Sequence, residues 1–264
     1  VQTGGKLDVE HYGLRIALLF QPKHYRVVGY GMGTARAAEA IWAGKSARDA
    51  GDPTSHGNGS AMRSAPLGFL LHKAEAGEFI DTVSAMSNIT HASPRCRAAS
   101  VAVAHATKLM WHGRWHAFDK DAFIDSIAEI TSRVSSEFSN ELKILKTLVK
   151  NQDRSAALKK IIKLGLASGE KSWHGMISYG VTQTTLWALY AVCSNPDSFV
   201  KCIAEAIVVG GDVDTTAAIA GGILGARVGL VGVPKVWANL IHDLDSWDNT
   251  QCCDLVKSVH MILK

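Results

Sequence analysis

Proline is scarce in this chain, six residues in 264, so few positions carry the missing N–H and ring clash that interrupt helices. Sustained alternation of apolar and polar residues, the signature of half-buried strands, is also lacking. No apolar run approaches the ~18 residues needed to span a bilayer, and no charged-then-apolar leader opens the sequence. A soluble protein without membrane association is the expectation. Cys96, Cys193, Cys202, Cys252 and Cys253 are odd in number and contain no Cys-x-x-Cys pair. That argues against a disulfide framework and for reduced thiols, hence an intracellular and most simply cytoplasmic protein. Extreme charge is absent too: 28 Lys+Arg against 24 Asp+Glu leave +4. Such a balance permits an anionic ligand but gives no argument for nucleic acid, which is not expected as a partner.

What the chain does have is apolar spacing at three and four residues from end to end. The pattern predicts helices over 14–19 (stopping near Pro22), 34–42, 60–76, 78–90 and 94 to about 111. It continues over 119–136, 141–150, 155–164, 181–191, 198–209, 215–228, 235–244 and 252–263. Ser93-Pro94 is a strong start signal, a capping hydroxyl followed by proline in the first turn. No low-complexity linker divides the chain, so one compact all-α domain over 1–264 is expected. Lys143, Lys146, Lys150, Lys159, Lys160 and Lys163 follow a helix surface opposite an apolar stripe, which reads as a solvated face.

Against this apolar background, Gly210-Gly211-Asp212-Val213-Asp214-Thr215-Thr216 is the most informative stretch. It sets two carboxylates and a hydroxyl at the mouth of a small-residue, apolar helix that must be buried. An unpaired carboxylate there costs several kcal/mol or more. A hard divalent cation resolves the problem, because it favours carboxylate, hydroxyl and water oxygens. The simpler alternative is an N-cap formed by Asp214 or Thr215. One aspartate suffices for a cap, so the pair favours metal.

Three other segments carry chemistry. Ser55-His56-Gly57-Asn58-Gly59-Ser60-Ala61-Met62-Arg63 is a glycine-rich loop entering a helix, suited to phosphate or, more plainly, a loop capped by Ser60. Thr90-His91 puts an imidazole just ahead of the Ser93-Pro94 helix start. Lys171 to Gly180 joins aromatic and small residues ahead of a helix, suitable for an adenine or ribose face or for a plain connection. His105, His112 and His116 have helical spacing but no acidic or thiol partner nearby, so no zinc site is assigned.

Together these segments, in their order, resemble the ADP-ribosylglycohydrolase family of ADP-ribosyl-acceptor hydrolases. The match is carried by Gly57 through Gly68, by Thr90-His91, by the Gly175 loop, by Gly210 through Thr216 and by Gly232-Val233-Pro234-Lys235-Val236-Trp237. The resemblance implies an orthogonal multi-helix all-α fold with two Mg²⁺ or Mn²⁺ ions in a central cleft. It implies cleavage of the glycosidic bond between the distal ribose of ADP-ribose and an acceptor, either a protein side chain or a small molecule. By motif, Asp212, Asp214 and Thr215 become metal ligands, with Asp212 and Asp214 the catalytic pair. Ser55, His56, Asn58, Gly59 and Ser60 are expected at the diphosphate and distal ribose, His91 against the substrate, and Gly175, Met176 and Tyr179 on the adenosine side. Thr182 stands where many members carry proline.

The family also opens with a Thr-Asp-Asp-Thr segment that completes the metal shell. No Asp-Asp pair occurs in this sequence, and Leu7-Asp8-Val9-Glu10 resembles the stretch that follows that motif. The expectation is therefore a domain lacking the family's opening segment, with the second metal site in question and Asp8 and Glu10 unassigned. The alternative to an enzyme is a catalytically impaired relative that binds ADP-ribose or serves as a structural or partner-binding protein.

Overall fold

The computed structural model describes residues 7–20, 31–166, 172–243 and 247–263. Along them run α1 (Val9–Leu18), α2 (Met32–Trp42), α3 (Ala65–Leu70), α4 (Ala76–Asn88), α5 (Pro94–His112), α6 (Lys120–Ser132) and α7 (Ser136–Leu142). They are followed by α8 (Leu145–Asn151), α9 (Arg154–Ile161), α10 (Val181–Ser194), α11 (Phe199–Ile207), α12 (Val213–Val228), α13 (Lys235–Asn239) and α14 (Asn249–Leu263). Beyond three isolated bridges, the β-structure among the described residues is one antiparallel pair, β1 (His242–Asp243) with β2 (Trp247–Asp248). The all-α expectation holds.

Helix α5 is the axis of the fold, and local chemistry explains its start. Ser93 caps it by accepting from Cys96 N at 3.2 Å, and Pro94 fills the first helical position. Its alanine-rich body is buried on two sides. Ala98, Ala99, Ala102 and Val103 enter one apolar cluster with Phe138, Leu142, Leu145, Trp187 and Ile223. Val101 and Ala104 enter another with Phe79, Val83, Met86 and Ile89. Small side chains let neighbours approach closely. A Cβ on Gly68 of α3 would lie 2.1 Å from the Ala104 carbonyl of α5, and one on Gly222 of α12 would lie 2.7 Å from Ala65 Cβ. Helix α12 thereby wedges between α3, α5, α10 and α11, and its opening turn faces the loops described below.

Several helices differ from the sequence expectation. The helix expected over 60–76 is a 3-10 turn, Ala61–Arg63, followed by the short α3. Pro66 can occupy the first turn of α3 but not the interior of a longer helix, so the chain breaks ahead of it. The span expected over 119–136 ends at Ser132, because Ser135 caps a separate helix, α7, by accepting from Phe138 N at 3.2 Å. Helix α13 stops at Asn239, and the β1–β2 pair follows it. Pro22, Lys171 and Leu244, which bounded expected segments, lie outside the described residues.

Lys143, Lys150, Lys159, Lys160 and Lys163 are solvent-exposed, and Lys146 pairs with Asp125 at 2.6 Å, a solvated face. All five cysteines are free. No helix among the described residues is long and apolar enough to cross a membrane.

Candidate functional site

The site begins with a turn that only glycine permits. Gly210 and Gly211 have φ of 73° and 91°, and a Cβ on Gly211 would lie 1.9 Å from the Ile177 carbonyl. That carbonyl instead accepts from Asp212 N at 2.9 Å. The turn thus delivers Asp212 to the N-cap position of α12, yet its side chain makes no capping bond, and neither Asp214 nor Thr215 is the cap. Asp212 Oδ2 accepts from Asn58 Nδ2 at 2.6 Å. Burial pushes the Asp212 carboxyl above the ordinary range, partly offset by the Asn58 hydrogen bond. A hydrogen bond with Asp212 holds the exposed Asp214 carboxyl below its ordinary value. Two carboxyls in such contact share a proton or a cation. Among the described residues no Lys or Arg pairs with either. Thr215, buried on the same turn, hydrogen-bonds the Asp212 carboxyl through its side chain.

Three isolated backbone bridges lace the motifs into one ring: Gly57 with Gly180, Ile177 with Gly211, and Asp52 with His91. The first is made by Asn58 N donating to Tyr179 O at 3.1 Å and Val181 N donating to His56 O at 2.8 Å. The Met176 sulfur lies 3.0 Å from where a Cβ on Gly210 would stand, so Met176 supports the acid turn directly. From the inner side, the Cys96 thiol donates to the carbonyls of Ser55 and Gly57 at 3.2 and 3.4 Å. Loops held this way present backbone and side chains without needing regular structure of their own.

Residues that the sequence singled out are brought together by this ring. Asn58 is buried and reaches both Asp212 and Thr184 Oγ1, the latter at 3.0 Å. His91, 5% exposed, packs where a Cβ on Gly59 would lie 2.7 Å from its ring and one on Gly57 3.3 Å from Nε2. Burial and the Arg63 charge lower its pKa to about 4, against a smaller opposite pull from Asp52. His56 and Tyr179 are exposed at the rim of a cleft of about 200 Å³ that Trp173, Arg95, Thr182 and Gln183 also line. Trp173 and Tyr179 meet edge to face at 6.1 Å. Ser55 is partly buried beside Gly57, and Gly175 is exposed with φ of 78°.

Ser60 is different. It is buried, caps nothing, and its Oγ has no hydrogen-bond partner among the described residues. Asp8 and Glu10 serve locally: Asp8 caps α1 through His11 N at 3.0 Å, and Glu10 accepts from Ser46 Oγ and Ala47 N at 2.6 and 2.9 Å. His105 contacts Ser126 Oγ, and His112 contacts the His72 carbonyl.

Sequence reasoning missed the inner support. Thr182, Gln183, Thr184 and Thr185 are all buried at the start of the otherwise apolar α10. Thr184 Oγ1 donates toward Ser178 O at 2.9 Å while accepting from Asn58. Thr182 accepts from Arg95 at 3.0 Å, and Arg95 also pairs with Glu137 and Glu141. Four consecutive polar residues at a buried helix start were the available signal, since buried polar groups need partners; Thr182, Gln183 and Thr184 have them, whereas Thr185 Oγ1 has none among the described residues. Arg63, which bonds Thr90 and the Gly59 carbonyl, went unassigned as well.

Similarity to known proteins extends over most of the chain. A bacterial relative, the uncharacterized protein YegU of Escherichia coli (strain K12), is 28% identical over 71% of this chain and 56% of its own. ADP-ribosylhydrolase ARH3 of Bos taurus is 24% identical over 80% of this chain and 59% of its own. The chain therefore spans under two thirds of the length of these curated relatives. A solved structure titled ADP-ribosylglycohydrolase-related protein complex superposes with a TM-score of 0.58 at 21% identity, covering 98% of this chain and 81% of that one; it shows a shared fold. The sequence model of a single family extends over residues 2–262, so the chain that folds these four motifs into one ring belongs to the ADP-ribosylglycohydrolase family.

Proposed function

We propose that this ring binds ADP-ribose and that the protein hydrolyses the bond between the distal ribose and an acceptor, a protein side chain or a small molecule. The observation that carries the reading is the Asp212–Asp214 carboxyl pair, held without a basic partner among the described residues and facing the Asn58 loop. That donor set, two carboxylates and the Thr215 hydroxyl on one helical turn, fits a hard divalent ion such as Mg²⁺ or Mn²⁺. Asp212, Asp214 and Thr215 would hold it; when bound it would supply a Lewis-acid centre that polarises ribose oxygens and lowers the pKa of a coordinated water. The described residues offer one such donor set, because Asp8 and Glu10 are committed elsewhere.

The remaining roles follow from this chain's own groups. Asn58 fixes the Asp212 carboxylate, so that Asp212 enters the reaction in one orientation. Backbone of the Ser55–Gly59 loop, opened by its glycines, takes the diphosphate. His91 donates to a ligand oxygen. Tyr179 and Trp173 give the adenosine an aromatic surface at the cleft rim, and His56 of the diphosphate loop lines the same cleft. Contacts to adenosine and diphosphate, remote from the reacting bond, hold the anomeric carbon against the carboxylates. As the bond breaks, those carboxylates stabilise the developing positive charge on the ribose.

The test is release of free ADP-ribose from ADP-ribosylated arginine, ADP-ribosylated serine peptides and small ADP-ribosides, with Mg²⁺ or Mn²⁺ added. Turnover that Asp214→Ala abolishes supports the reading. ADP-ribose binding without turnover on every substrate would identify a binding protein instead, and unchanged turnover by Asp214→Ala would remove the acid pair from the chemistry.

A further inference from the structure

His91 sits inside the ring with one nitrogen occupied, and the way it is occupied decides what the other can do. A guanidinium has donors only. Arg63 Nη2 lies 2.6 Å from Thr90 Oγ1, so the threonine oxygen is the acceptor there. Thr90 is fully buried, and its single hydroxyl proton has one further partner among the described residues, His91 Nδ1 at 2.7 Å. Sending the proton anywhere else would leave it unpaired in the interior, where an unsatisfied donor is destabilising. Nδ1 is therefore the acceptor, and the neutral ring must carry its proton on Nε2.

The same guanidinium has a second arm. Arg63 Nη1 donates to the Gly59 carbonyl at 2.5 Å, so one rigid fork spans from the glycine loop to the Thr90–His91 step. On the far side of the ring stand glycines from two segments. A Cβ would lie 3.0 Å from Nε2 at Gly59, 3.3 Å at Gly57 and 3.7 Å at Gly33. Side chains at those positions would crowd Nε2, whereas hydrogen atoms leave it approachable. The charged groups that act on the ring are Arg63, on the Nδ1 side through Thr90, and Asp52, itself near Arg36 of α2.

We propose that Arg63 and Thr90 are positioning residues that lock His91 in the Nε2–H tautomer and aim it at the ligand as a permanent hydrogen-bond donor. The inference rests on the ADP-ribose reading for the ligand, and on hydrogen-bond chemistry alone for the tautomer. It makes His91 a donor to a hydroxyl or diphosphate oxygen, and it denies Nε2 the role of a base, because that nitrogen has no lone pair in the plane to offer.

The test is a long-range ¹H–¹⁵N correlation of the whole chain labelled at histidine nitrogen, with His91 assigned through His91→Gln. At neutral pH the wild-type protein should show the neutral Nε2–H tautomer at His91. Thr90→Val should shift the Nδ1 resonance, mix the tautomers and weaken ADP-ribose binding about tenfold, while Thr90→Ser restores all three. An Nδ1–H tautomer in the wild type, or His91 signals unmoved by Thr90→Val, would overturn the proposal. If the tautomer and its response to Thr90 are as described but no ADP-ribose binds, the relay stands and the ligand reading is the part that fails.

Discussion

Asn58 and Asp212, 154 residues apart in sequence, are joined by a hydrogen bond of 2.6 Å. Asn58 reaches Thr184 as well, so one amide orders the acid turn, the glycine loop and the buried start of α10. Replacing it tests that joint. Asn58→Leu should lower unfolding free energy by about 1–3 kcal/mol, because Asp212 and Thr184 lose a buried partner. Chemical denaturation with an unchanged m-value is the measurement. Asn58→Asp should behave otherwise, placing a third carboxyl beside the pair, destabilising the ion-free protein and enlarging the rescue by Mn²⁺. A variant indifferent to Mn²⁺ would separate Asn58 from any cation at the turn.

Divalent binding has its own signature in stability. A ligand that binds only the folded state stabilises by about 2.7 kcal/mol at a hundred times its dissociation constant. Mn²⁺ or Mg²⁺ should therefore raise Tm in a concentration-dependent way. Asp214→Ala should abolish the shift without lowering the ion-free Tm much, since Asp214 is exposed and held chiefly by its neighbour carboxyl. Calorimetric titration of the same pair of proteins gives the stoichiometry directly. A shift that survives in Asp214→Ala places the ion elsewhere.

Two glycines with positive φ make a controlled comparison. Gly211 (φ 91°) has the Ile177 carbonyl 1.9 Å from a built Cβ, whereas Gly175 (φ 78°) has nothing within 4 Å. Gly175→Ala should cost about 1–2 kcal/mol, the left-handed backbone penalty alone. Gly211→Ala adds a clash with main chain that cannot rotate away, and it should break the Asp212 N to Ile177 O bond with it. The expected loss is clearly larger than for Gly175, and metal-dependent stabilisation should vanish in that variant only. Equal Tm values for the two variants would show that the turn tolerates rearrangement.

Local chemistry made part of this fold readable from sequence. Ser93-Pro94 announced α5 because the cap and the proline act within four residues, and the structure places both as expected. The acid turn was readable for the same reason, since two carboxylates ahead of an apolar helix pose a solvation problem wherever the chain goes. The split at Pro66 was also local, yet the continuing apolar pattern from 60 onward masked it. What sequence spacing could not give was the lacing. The Asn58–Thr184 and Arg63–Thr90 bonds exist only after α5, α10 and the loops have packed, and their partners are 126 and 27 residues away. The buried Thr182–Thr185 run was the visible trace of that support.

Acid sensitivity follows from two imidazoles. His91 and His105 are both held by burial at a pKa of about 4, with Arg63 and Lys108 respectively adding to the effect. Unfolded, each returns to an ordinary value near 6.5, so between about 4 and 6.5 the unfolded chain binds more protons. Stability from these groups is thus complete above about pH 6.5 and is lost as pH falls toward 4, by up to about 3 kcal/mol for each. The two have separable causes. His105 packs edge to face on Phe79 at 5.8 Å and contacts Ser126 Oγ at 2.9 Å, away from the ring that holds His91. His105→Gln should remove roughly half of the acid slope while leaving ADP-ribose binding intact, and His91→Gln should remove a similar share and weaken binding too. Urea unfolding of the three proteins at about pH 7 and about pH 4.5 measures the slopes. Parallel pH profiles for all three would mean that neither ring is the neutral, buried group the packing requires.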